Sequence, residues 1–426
     1  MLWIAVVHTT LWAMDRPGAS RVLWGDENTY LASALRLLAG DPGWSPEPLW
    51  PPLYPQFVAG LVSLGGGSLF WLRLTQNVFL VITGVILFDV TRRWTGSQAA
   101  GWTASWLALG YPPLVAFSHY LWPEVLHLFL FVALLWLVSA RPVSARRCAV
   151  AGVALGLALL TKSLLLPFLP ILALALVWGR PSGRALLDLG LMLGLTAVTV
   201  APTVIGNHHR TGRFGIANSG TFNLWVGLND VGRDSFRHDV VWPEYQSWIA
   251  SASCDVERNT ILRRKIRELV RQRGLVEVVR GQLAKQYFRL FDPGSYLTDQ
   301  LPGGAAQVQS DAGYLELDPR AGRAIRVLSW AAVVLVLMAG TAGLVVGRYR
   351  EPRWLEVLIL FVAYNLALFL WLHVKTRYRI QMLPAAFVGI GGLIAWVEAG
   401  CRPRPSAARI GLTVVSVALV VWFALG

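Results

Sequence analysis

The sequence predicts an all-α polytopic membrane protein with about eleven transmembrane helices. Hydrophobic residues make up 55% of the 426 residues, charged residues only 15%, and the mean hydropathy is +0.51. A water-soluble domain of this length would not carry so much apolar surface, whereas a bundle of helices in lipid requires it. The apolar stretches also alternate with short Arg-rich loops, which is typical of a chain that crosses a bilayer repeatedly.

The spans are placed by their length, because a helix rises about 1.5 Å per residue and the hydrocarbon core is about 30 Å thick. The first apolar stretch, residues 1–14, supplies only about 20 Å of helix. We therefore expect either an incomplete first span or a chain start further upstream. Ten further spans are predicted at residues 69–90, 99–117, 122–140, 149–160, 164–178, 185–205, 327–346, 354–372, 382–397 and 410–425.

The orientation follows from the loops, since Lys and Arg collect in loops that remain in the cytosol. The Arg-rich loops place the N-terminus inside and the C-terminus outside, so the net charge of +14 is mainly a signal of topology and nucleic acid is not a predicted partner. By alternation, residues 373–379, His-Val-Lys-Thr-Arg-Tyr-Arg, face outward against this rule. Three cations at the outer mouth of a bundle indicate a site for an anionic group such as a lipid phosphate.

Two segments outside the membrane hold many of the polar residues. The first outer loop, residues 15–68, contains a predicted helix at 28–39 and a Pro- and Trp-rich run. A mainly helical segment, 206–326, follows the seventh span, and its apolar spacing predicts two amphipathic helices that break at Gly274. The predicted organisation has three parts: an N-terminal transmembrane module at 1–205, the outer segment at 206–326 and C-terminal transmembrane helices at 327–426.

Three acidic residues on the predicted outer side are candidate catalytic residues. Asp26 and Glu27 stand directly beyond the first span, and Glu124 opens the fourth predicted span. A carboxylate in such a place can act as a general base or a metal ligand. The simpler alternatives are a charged helix start for the adjacent pair and a solvated interfacial carboxylate for Glu124.

Five basic residues on the same side are candidate ligands of a donor phosphate. Arg offers a planar fork that donates two parallel hydrogen bonds, and Lys acts as a point charge. Taken singly, each is explained by a side chain that reaches out to lipid headgroups. Their presence on one face with the carboxylates favours a shared site. They are Arg73, Lys162, Lys375, Arg377 and Arg379.

Aromatic side chains are dense on the outer side, where most form an interfacial belt and some could stack on sugar rings. The candidates for contacts to a sugar or an acceptor are Tyr54, His119, Trp122 and Tyr378. No metal site is predicted, because the three cysteines match no spacing of metal ligands.

Taken in order, these motifs resemble the GT-C superfamily of integral-membrane glycosyltransferases. They are most similar to the family-39-like group, which includes protein O-mannosyltransferases and lipid A aminoarabinose transferases, and the resemblance covers most of the chain. Its carriers are Gly25-Asp26-Glu27, Pro-Pro-Leu-Tyr-Pro at 51–55, Glu124, residues 156–163, Asn207 with 211–214, 223–227, and Lys-Thr-Arg-Tyr-Arg at 375–379.

The resemblance implies transfer of a hexose or pentose from a polyprenyl-phosphate donor to a glycan, lipid or protein hydroxyl. It places this reaction on the extracytoplasmic face of a bacterial plasma (inner) membrane. It assigns Asp26 as the base, Glu27 or Glu124 as the residue that orients acceptor or sugar, and the five cations as the groups that stabilise the leaving phosphate. No cofactor is expected, and a divalent metal is not favoured because the carboxylates lack a clear third ligand.

Two other functions are weighed against this interpretation. A transporter or flippase for lipid-linked sugars would use the same cations, but it predicts repeated halves and discontinuous spans around a midplane site. An enzyme similar to O-antigen ligases or polymerases would favour an outer loop rich in Arg and His, without the early Asp-Glu pair. The sequence shows no internal repeat and does contain that pair.

Overall fold

The fold is a bundle of helices, seen in a computed structural model that describes residues 21–40, 50–140, 144–178, 182–229, 238–249, 252 and 254–425. The predicted first span, 1–14, and residues 41–49 of the Pro- and Trp-rich run lie outside the described residues. The predicted all-α class is confirmed, because a single two-residue ladder, β1 (Arg21–Val22) paired with β2 (Gly313–Tyr314), is the only sheet among the described residues.

Helices cover every predicted span from residue 69 onwards. The first half of the chain contains α1 (Asp26–Leu38), α2 (Leu53–Leu64), α3 (Phe70–Thr95), α4 (Gln98–Gly110), α5 (Pro112–Phe117), α6 (Glu124–Ser139), α7 (Ala145–Thr161), α8 (Leu169–Val177) and α9 (Ser182–Thr211). The outer segment contains α10 (Ser219–Asn229), α11 (His238–Ile249), α12 (Asp255–Arg273), α13 (Leu275–Leu283), α14 (Gln286–Phe291), α15 (Tyr296–Gln300) and α16 (Ala305–Ser310). The C-terminal helices are α17 (Pro319–Val346), α18 (Pro352–Trp371), α19 (Leu383–Glu398) and α20 (Ala407–Leu425).

Six of the described helical stretches are long and apolar enough to cross a bilayer, which makes this an integral membrane protein. The other predicted spans are shorter or interrupted, so the number eleven stays a prediction. The span predicted at 99–117 is two helices, because Tyr111 is extended before Pro112 and a residue before proline avoids the helical region. The six stretches are Phe70–Thr95, Gly183–Thr211, Pro319–Val346, Pro352–Trp371, Thr376–Glu398 and Ala407–Leu425.

Close packing of two helices fixes the C-terminal part of the bundle. A Cβ atom on Gly343 of α17 would lie only 1.9 Å from the carbonyl oxygen of Gly389 on α19. Small residues at such a crossing let helix backbones approach in lipid, where little hydrophobic force drives association. The α17–α19 contact therefore sets the position of the short 3-10 helix Thr376–Met382, which leads directly into α19.

The predicted break at Gly274 is confirmed, and a second break positions a candidate site residue. The amphipathic helices α12 and α13 are separated at Gly274, whose φ of 79° suits glycine. After α7, Lys162 adopts an extended conformation and the chain continues as a 3-10 helix, Ser163–Phe168. This hinge brings Lys162 to the same end of the bundle as Glu124, the first residue of the almost wholly buried helix α6.

Candidate active site

The adjacent carboxylates of Asp26 and Glu27 have different environments. They follow Gly25, whose φ of 61° is left-handed, and this turn starts α1. Glu27 is fully buried; Arg21 Nη2 donates to its carboxylate at 2.6 Å, and the backbone N–H groups of Trp24 and Leu121 donate at 3.1 and 3.0 Å. Asp26 keeps 33% of its side chain exposed. The geometry thus favours a positioning role for Glu27 and leaves Asp26 accessible to a substrate.

Arg21 ties the first outer loop to the outer segment. Its strand pairs with β2, its guanidinium lies 4.3 Å from the ring centroid of Tyr120, and its Nε donates to Gln300 Oε1 at 3.2 Å. The Tyr296 hydroxyl donates to the carbonyl of Trp24, and the two rings stack at 4.8 Å. These contacts have little signature in the sequence. Arg21, a cation six residues before Glu27, was the only signal for them.

Arg377 lies at the centre of the candidate site. Its Nη2 donates to Asp26 Oδ2 at 3.1 Å, its Nε lies 4.0 Å from Glu124 Oε1, and its guanidinium carbon lies 3.7 Å from the ring centroid of Trp122. The side chain is only 8% exposed. Its Nη1 and Nε have no hydrogen-bond partner within the described residues, so the guanidinium retains donors for an anionic ligand.

A second buried ion pair lies beside Arg377. Lys162 Nζ donates to Glu124 Oε1 at 2.8 Å, and both side chains are largely buried. The other carboxylate oxygen, Glu124 Oε2, has no hydrogen-bond partner in the part of the chain that the structure describes. The ring of Tyr378 lies next to both cations, with its centroid 5.9 Å from Lys162 Nζ and 5.2 Å from the Arg377 guanidinium carbon. Glu124 therefore holds Lys162 and Arg377 close together despite their like charges.

Lys375 and Asp299 extend the site toward the outer segment. Burial lowers the pKa of Lys375, the charge of Arg377 lowers it further, and Asp26 and Asp299 oppose this effect. Burial, followed by the charge of Asp292, raises the pKa of Asp299 to about 6, and Lys375 opposes this shift. Asp299 was not among the candidates, because only the fold brings α15 to this place.

Four other predicted residues bond to the protein itself. Arg379 donates to the main-chain carbonyls of Asp292, of Leu290 at 3.3 Å and of Gly294 at 3.0 Å. Arg73 Nε donates to the carbonyl of His119 at 3.3 Å, and the His119 side chain is completely buried. The Tyr54 hydroxyl donates to Gln76 Oε1 at 3.0 Å, and Tyr54 is 1% exposed. These contacts favour structural roles for Arg73, Arg379, Tyr54 and His119.

The chemistry of the arrangement is that of an anion site with an accessible base. It combines one part-exposed carboxylate with three cations at the end of a membrane bundle. Within the described residues, no three His, Cys, Asp or Glu side chains converge as they would around a metal ion. Asp26, the exposed carboxylate, bonds instead to a guanidinium, which would repel a divalent cation.

Comparisons with known sequences agree with the motif-based resemblance. A sequence model of the family described as "Dolichyl-phosphate-mannose-protein mannosyltransferase" matches residues 50–205. The lipid A galacturonosyltransferase RgtD of Rhizobium johnstonii is 26% identical over 162 residues, which are 37% of this chain and 34% of that protein. The match thus extends over about a third of the relative's length.

Two solved structures align with this chain over almost its whole length. The oligosaccharyltransferase of Archaeoglobus fulgidus, in complex with Zn and sulfate, aligns with a TM-score of 0.51 at 13% identity and covers 99% of this chain and 51% of that chain. ArnT from Cupriavidus metallidurans bound to undecaprenyl phosphate aligns with a TM-score of 0.41 at 15% identity over 99% of this chain and 87% of its own. Residues 50–205 thus resemble this family of glycosyltransferases, and the chain as a whole shares a fold with the archaeal oligosaccharyltransferase.

Proposed function

We propose that this protein transfers a hexose or pentose from a polyprenyl-phosphate donor to a hydroxyl group of a glycan, lipid or protein. One observation carries the proposal. The accessible carboxylate of Asp26 lies 3.1 Å from the buried guanidinium of Arg377, whose Nη1 and Nε have no hydrogen-bond partner among the described residues. A base and a phosphate-binding group must be adjacent for such a transfer. The description of the matching family, which names a dolichyl-phosphate sugar and a protein acceptor, and that of the relative, which names lipid A, support this class of reaction.

In the proposed reaction, Asp26 accepts the proton of the acceptor hydroxyl. The hydroxyl oxygen forms a bond to the anomeric carbon of the sugar as the bond from that carbon to the phosphate oxygen breaks. The electron pair of the broken bond stays with the polyprenyl phosphate, which leaves as an anion. Asp26 suits the first step because a third of its side chain is exposed, whereas Glu27 is enclosed.

Arg377, Lys375 and Lys162 stabilise the leaving phosphate in this scheme. Negative charge on the phosphate oxygen increases as the bond breaks, so fixed cations bind the transition state more strongly than the donor. Glu124 holds Lys162 and Arg377 in place, at 2.8 and 4.0 Å from its Oε1 atom. Tyr378 and Trp122 flank Arg377 and provide ring faces beside the sugar-binding region.

We further propose that the reaction takes place on the extracytoplasmic side of a bacterial inner membrane and needs no divalent metal. The first part rests on the Arg-rich loops, which mark the opposite ends of the helices as cytosolic. The second rests on the ion pair of Asp26 with Arg377. Turnover should therefore persist in a chelator, and loss of turnover that Mg²⁺ or Mn²⁺ restores would contradict this part.

The test is the release of free polyprenyl phosphate from a panel of polyprenyl-phosphate sugars by purified protein in nanodiscs. Wild type should release the lipid phosphate from at least one donor. The Asp26→Asn variant should bind that donor with similar affinity but release at least a hundredfold less, because the base is lost. Asp311→Asn, the same change at an exposed outer residue with left-handed backbone, is the matched control.

Two outcomes would contradict the proposal. Donor binding by the wild type without release from any donor, in the presence of varied acceptors, would favour a transporter. Release that is unchanged in Asp26→Asn would remove Asp26 as the base while leaving the transferase activity in place.

A further inference from the structure

A groove of about 1060 Å³ runs along the last transmembrane helix, α20, and lies between it and α18. Most of its walls are apolar side chains of α17, α18, α19 and α20. The groove extends from Arg409, in the first turn of α20, to Phe423 near the end of that helix, which is about 21 Å at 1.5 Å per residue. This length covers most of the roughly 30 Å hydrocarbon core, so the groove has the shape of a site for a lipid chain.

Protein side chains leave the groove side of α20 largely uncovered. Only Val420 and Ala424 of this helix are buried, and Leu412 and Leu419 line the groove although 56% and 50% of each residue is exposed. The end of the helix is held by Phe423, whose ring centroid lies 5.1 Å from that of Phe288 on α14. Helices in a bilayer associate through close packing, so the space between α18 and α20 needs an apolar chain to fill it.

The charges in the groove lie mainly at one end. Arg379, at the end near the candidate active site, already donates to three main-chain carbonyls of residues 290–294. Three other arginines and Glu356 lie at the opposite end, and none of these four side chains makes an ion pair or a side-chain hydrogen bond among the described residues. Three positive charges against one negative charge leave a formal excess of +2. The three arginines are Arg348, Arg404 and Arg409.

Two of these arginines stand at an unfavourable place on α20. Arg404 precedes the helix by three residues and Arg409 lies in its first turn, where the helix dipole is also positive. The loop that carries Arg404 is held against α19, since Trp396 Nε1 donates to the carbonyl of Pro403 at 3.1 Å. An anion at this end of the groove would offset the helix dipole and the excess charge of the arginines together.

The orientation rule explains why arginines are frequent at this end, but it does not explain their distribution. Arg402 belongs to the same loop as Arg404 and is exposed, yet it lies outside the groove. Basic sites between transmembrane helices on the cytosolic side are suited to anionic lipid headgroups. The groove adds to such a basic site an apolar path that leads into the bilayer.

We propose that the groove binds an anionic phospholipid. Its phosphate lies at Arg348, Arg404 and Arg409, and one of its acyl chains runs along α20 towards Phe423. The bound lipid fills the space between α18 and α20 and so fixes the last helix to the bundle.

The charges distinguish this lipid from the proposed sugar donor. The donor phosphate would lie at the other end of the bundle, beside Arg377, which follows the far end of the 20-residue helix α18. The inference therefore goes beyond the proposed reaction, because neither Asp26 nor Arg377 takes part in it.

The experiment measures lipid binding to full-length protein that is purified in maltoside detergent and stripped of lipid from the cell. Native mass spectrometry counts bound lipid molecules, and thermal unfolding reports their effect on stability. Phosphatidylglycerol is compared with phosphatidylcholine of the same acyl chains, so that the two lipids differ only in their headgroups. Phosphatidylglycerol should bind about tenfold more tightly and raise the melting temperature at concentrations where phosphatidylcholine has no effect.

Variants test the charged end and the apolar path separately. Arg404→Gln and Arg409→Gln should each weaken phosphatidylglycerol binding about fivefold, whereas Arg402→Gln, in the same loop but outside the groove, should match the wild type. Ala363→Phe on α18 should weaken binding because its ring fills the groove. Ala367→Phe, one turn further along α18 and also exposed, is the matched control outside the groove. Equal melting temperatures in lipid-free detergent would show that all five variants are folded.

Selective binding of phosphatidylglycerol that the three groove variants weaken and the two controls retain would establish the site. Equal affinity for the two phospholipids, or equal affinity of Arg404→Gln and Arg402→Gln, would overturn the proposal. Polyprenyl phosphate is added as a competitor. Its binding in place of phosphatidylglycerol, lost in Ala363→Phe but retained in Arg404→Gln, would assign the groove to the donor chain and would also overturn the proposal.

Discussion

The planar guanidinium of Arg377 contacts three other side chains at once. The guanidinium carbon lies 3.7 Å from the ring centroid of Trp122, and the hydrogen bond from Nη2 to Asp26 and the ion pair with Glu124 restrain the group further. A preorganised donor of this kind needs no rearrangement as charge builds on a leaving group. We therefore expect this position to require the shape of arginine as well as its charge.

Replacement of Arg377 by Lys tests this requirement. An ammonium cannot retain the stacking and both directed contacts, so polyprenyl phosphate release should fall about a hundredfold, the usual effect of removing one such donor. Arg320→Lys, the same change at an exposed residue of the outer side, should leave the rate unchanged. Full activity of the Arg377→Lys variant would show that charge alone is sufficient.

The raised pKa of Asp299 predicts that donor binding depends on pH. Its pKa is raised to about 6 by burial and by Asp292, so it becomes negatively charged near Lys375 as the pH rises through 6. This charge should repel an anionic donor and raise the KM for the donor between pH 5 and pH 7.5. In Asp299→Asn the increase should disappear; an identical pH profile in the variant would contradict this assignment.

The raised pKa of Asp299 also makes the stability of the folded state depend on pH. The folded state retains a proton that the unfolded chain has lost between the ordinary value of 3.8 and about 6. The free energy of unfolding therefore decreases from pH 4 to pH 6 through this group. Asp299→Asn should be more stable than the wild type at pH 7, as measured by thermal unfolding.

Which residue types lie in the candidate site is easier to predict from the sequence than the contacts that each residue makes. Arg377 and Arg379 belong to one motif, but a 3-10 helix has three residues per turn, so side chains two positions apart point in different directions. One therefore reaches Asp26 and the other reaches the carbonyls near Gly294. The spacing of the two arginines in the sequence cannot predict these different contacts unless the secondary structure of the motif is known.

At the scale of elements, the first outer loop depends on a distant part of the chain. Its ladder pairs Arg21 with Tyr314, and the buried Arg21–Glu27 ion pair lies directly beside this ladder. The long helices were predictable because their apolar length is a local property. The ladder was not, since its two strands are two residues each and are separated by most of the chain.

Glu27→Gln tests the positioning role of Glu27. Removing one partner of a buried ion pair leaves an uncompensated charge, so the variant should lose about 3–5 kcal/mol of stability. Thermal unfolding should show this loss, and the double variant Arg21→Met, Glu27→Gln should recover much of it. A variant with normal stability and no turnover would instead assign Glu27 to the chemical step.

At the scale of the whole molecule, the native cysteines report the orientation of the bundle. Cys254 and Cys401 are both exposed, and the predicted topology places them on opposite sides of the membrane. An impermeant maleimide should label Cys254 in intact cells and Cys401 only after permeabilisation. Variants with a single cysteine, measured by mass shift, separate the two sites. Labelling of Cys401 alone from outside would reverse the topology.

The 3-10 helix Thr376–Met382 has a consequence for how the two proposed substrates would bind. It carries Arg377, which contacts the proposed base, and Arg379, which donates hydrogen bonds to the main-chain carbonyls of Leu290 and Gly294 in the outer segment. Only one residue separates the two, so in the proposed reaction an acceptor that displaces the outer segment would also displace the guanidinium of Arg377, the proposed donor-binding group. By thermodynamic reciprocity, each substrate then changes the affinity of the enzyme for the other by the same factor.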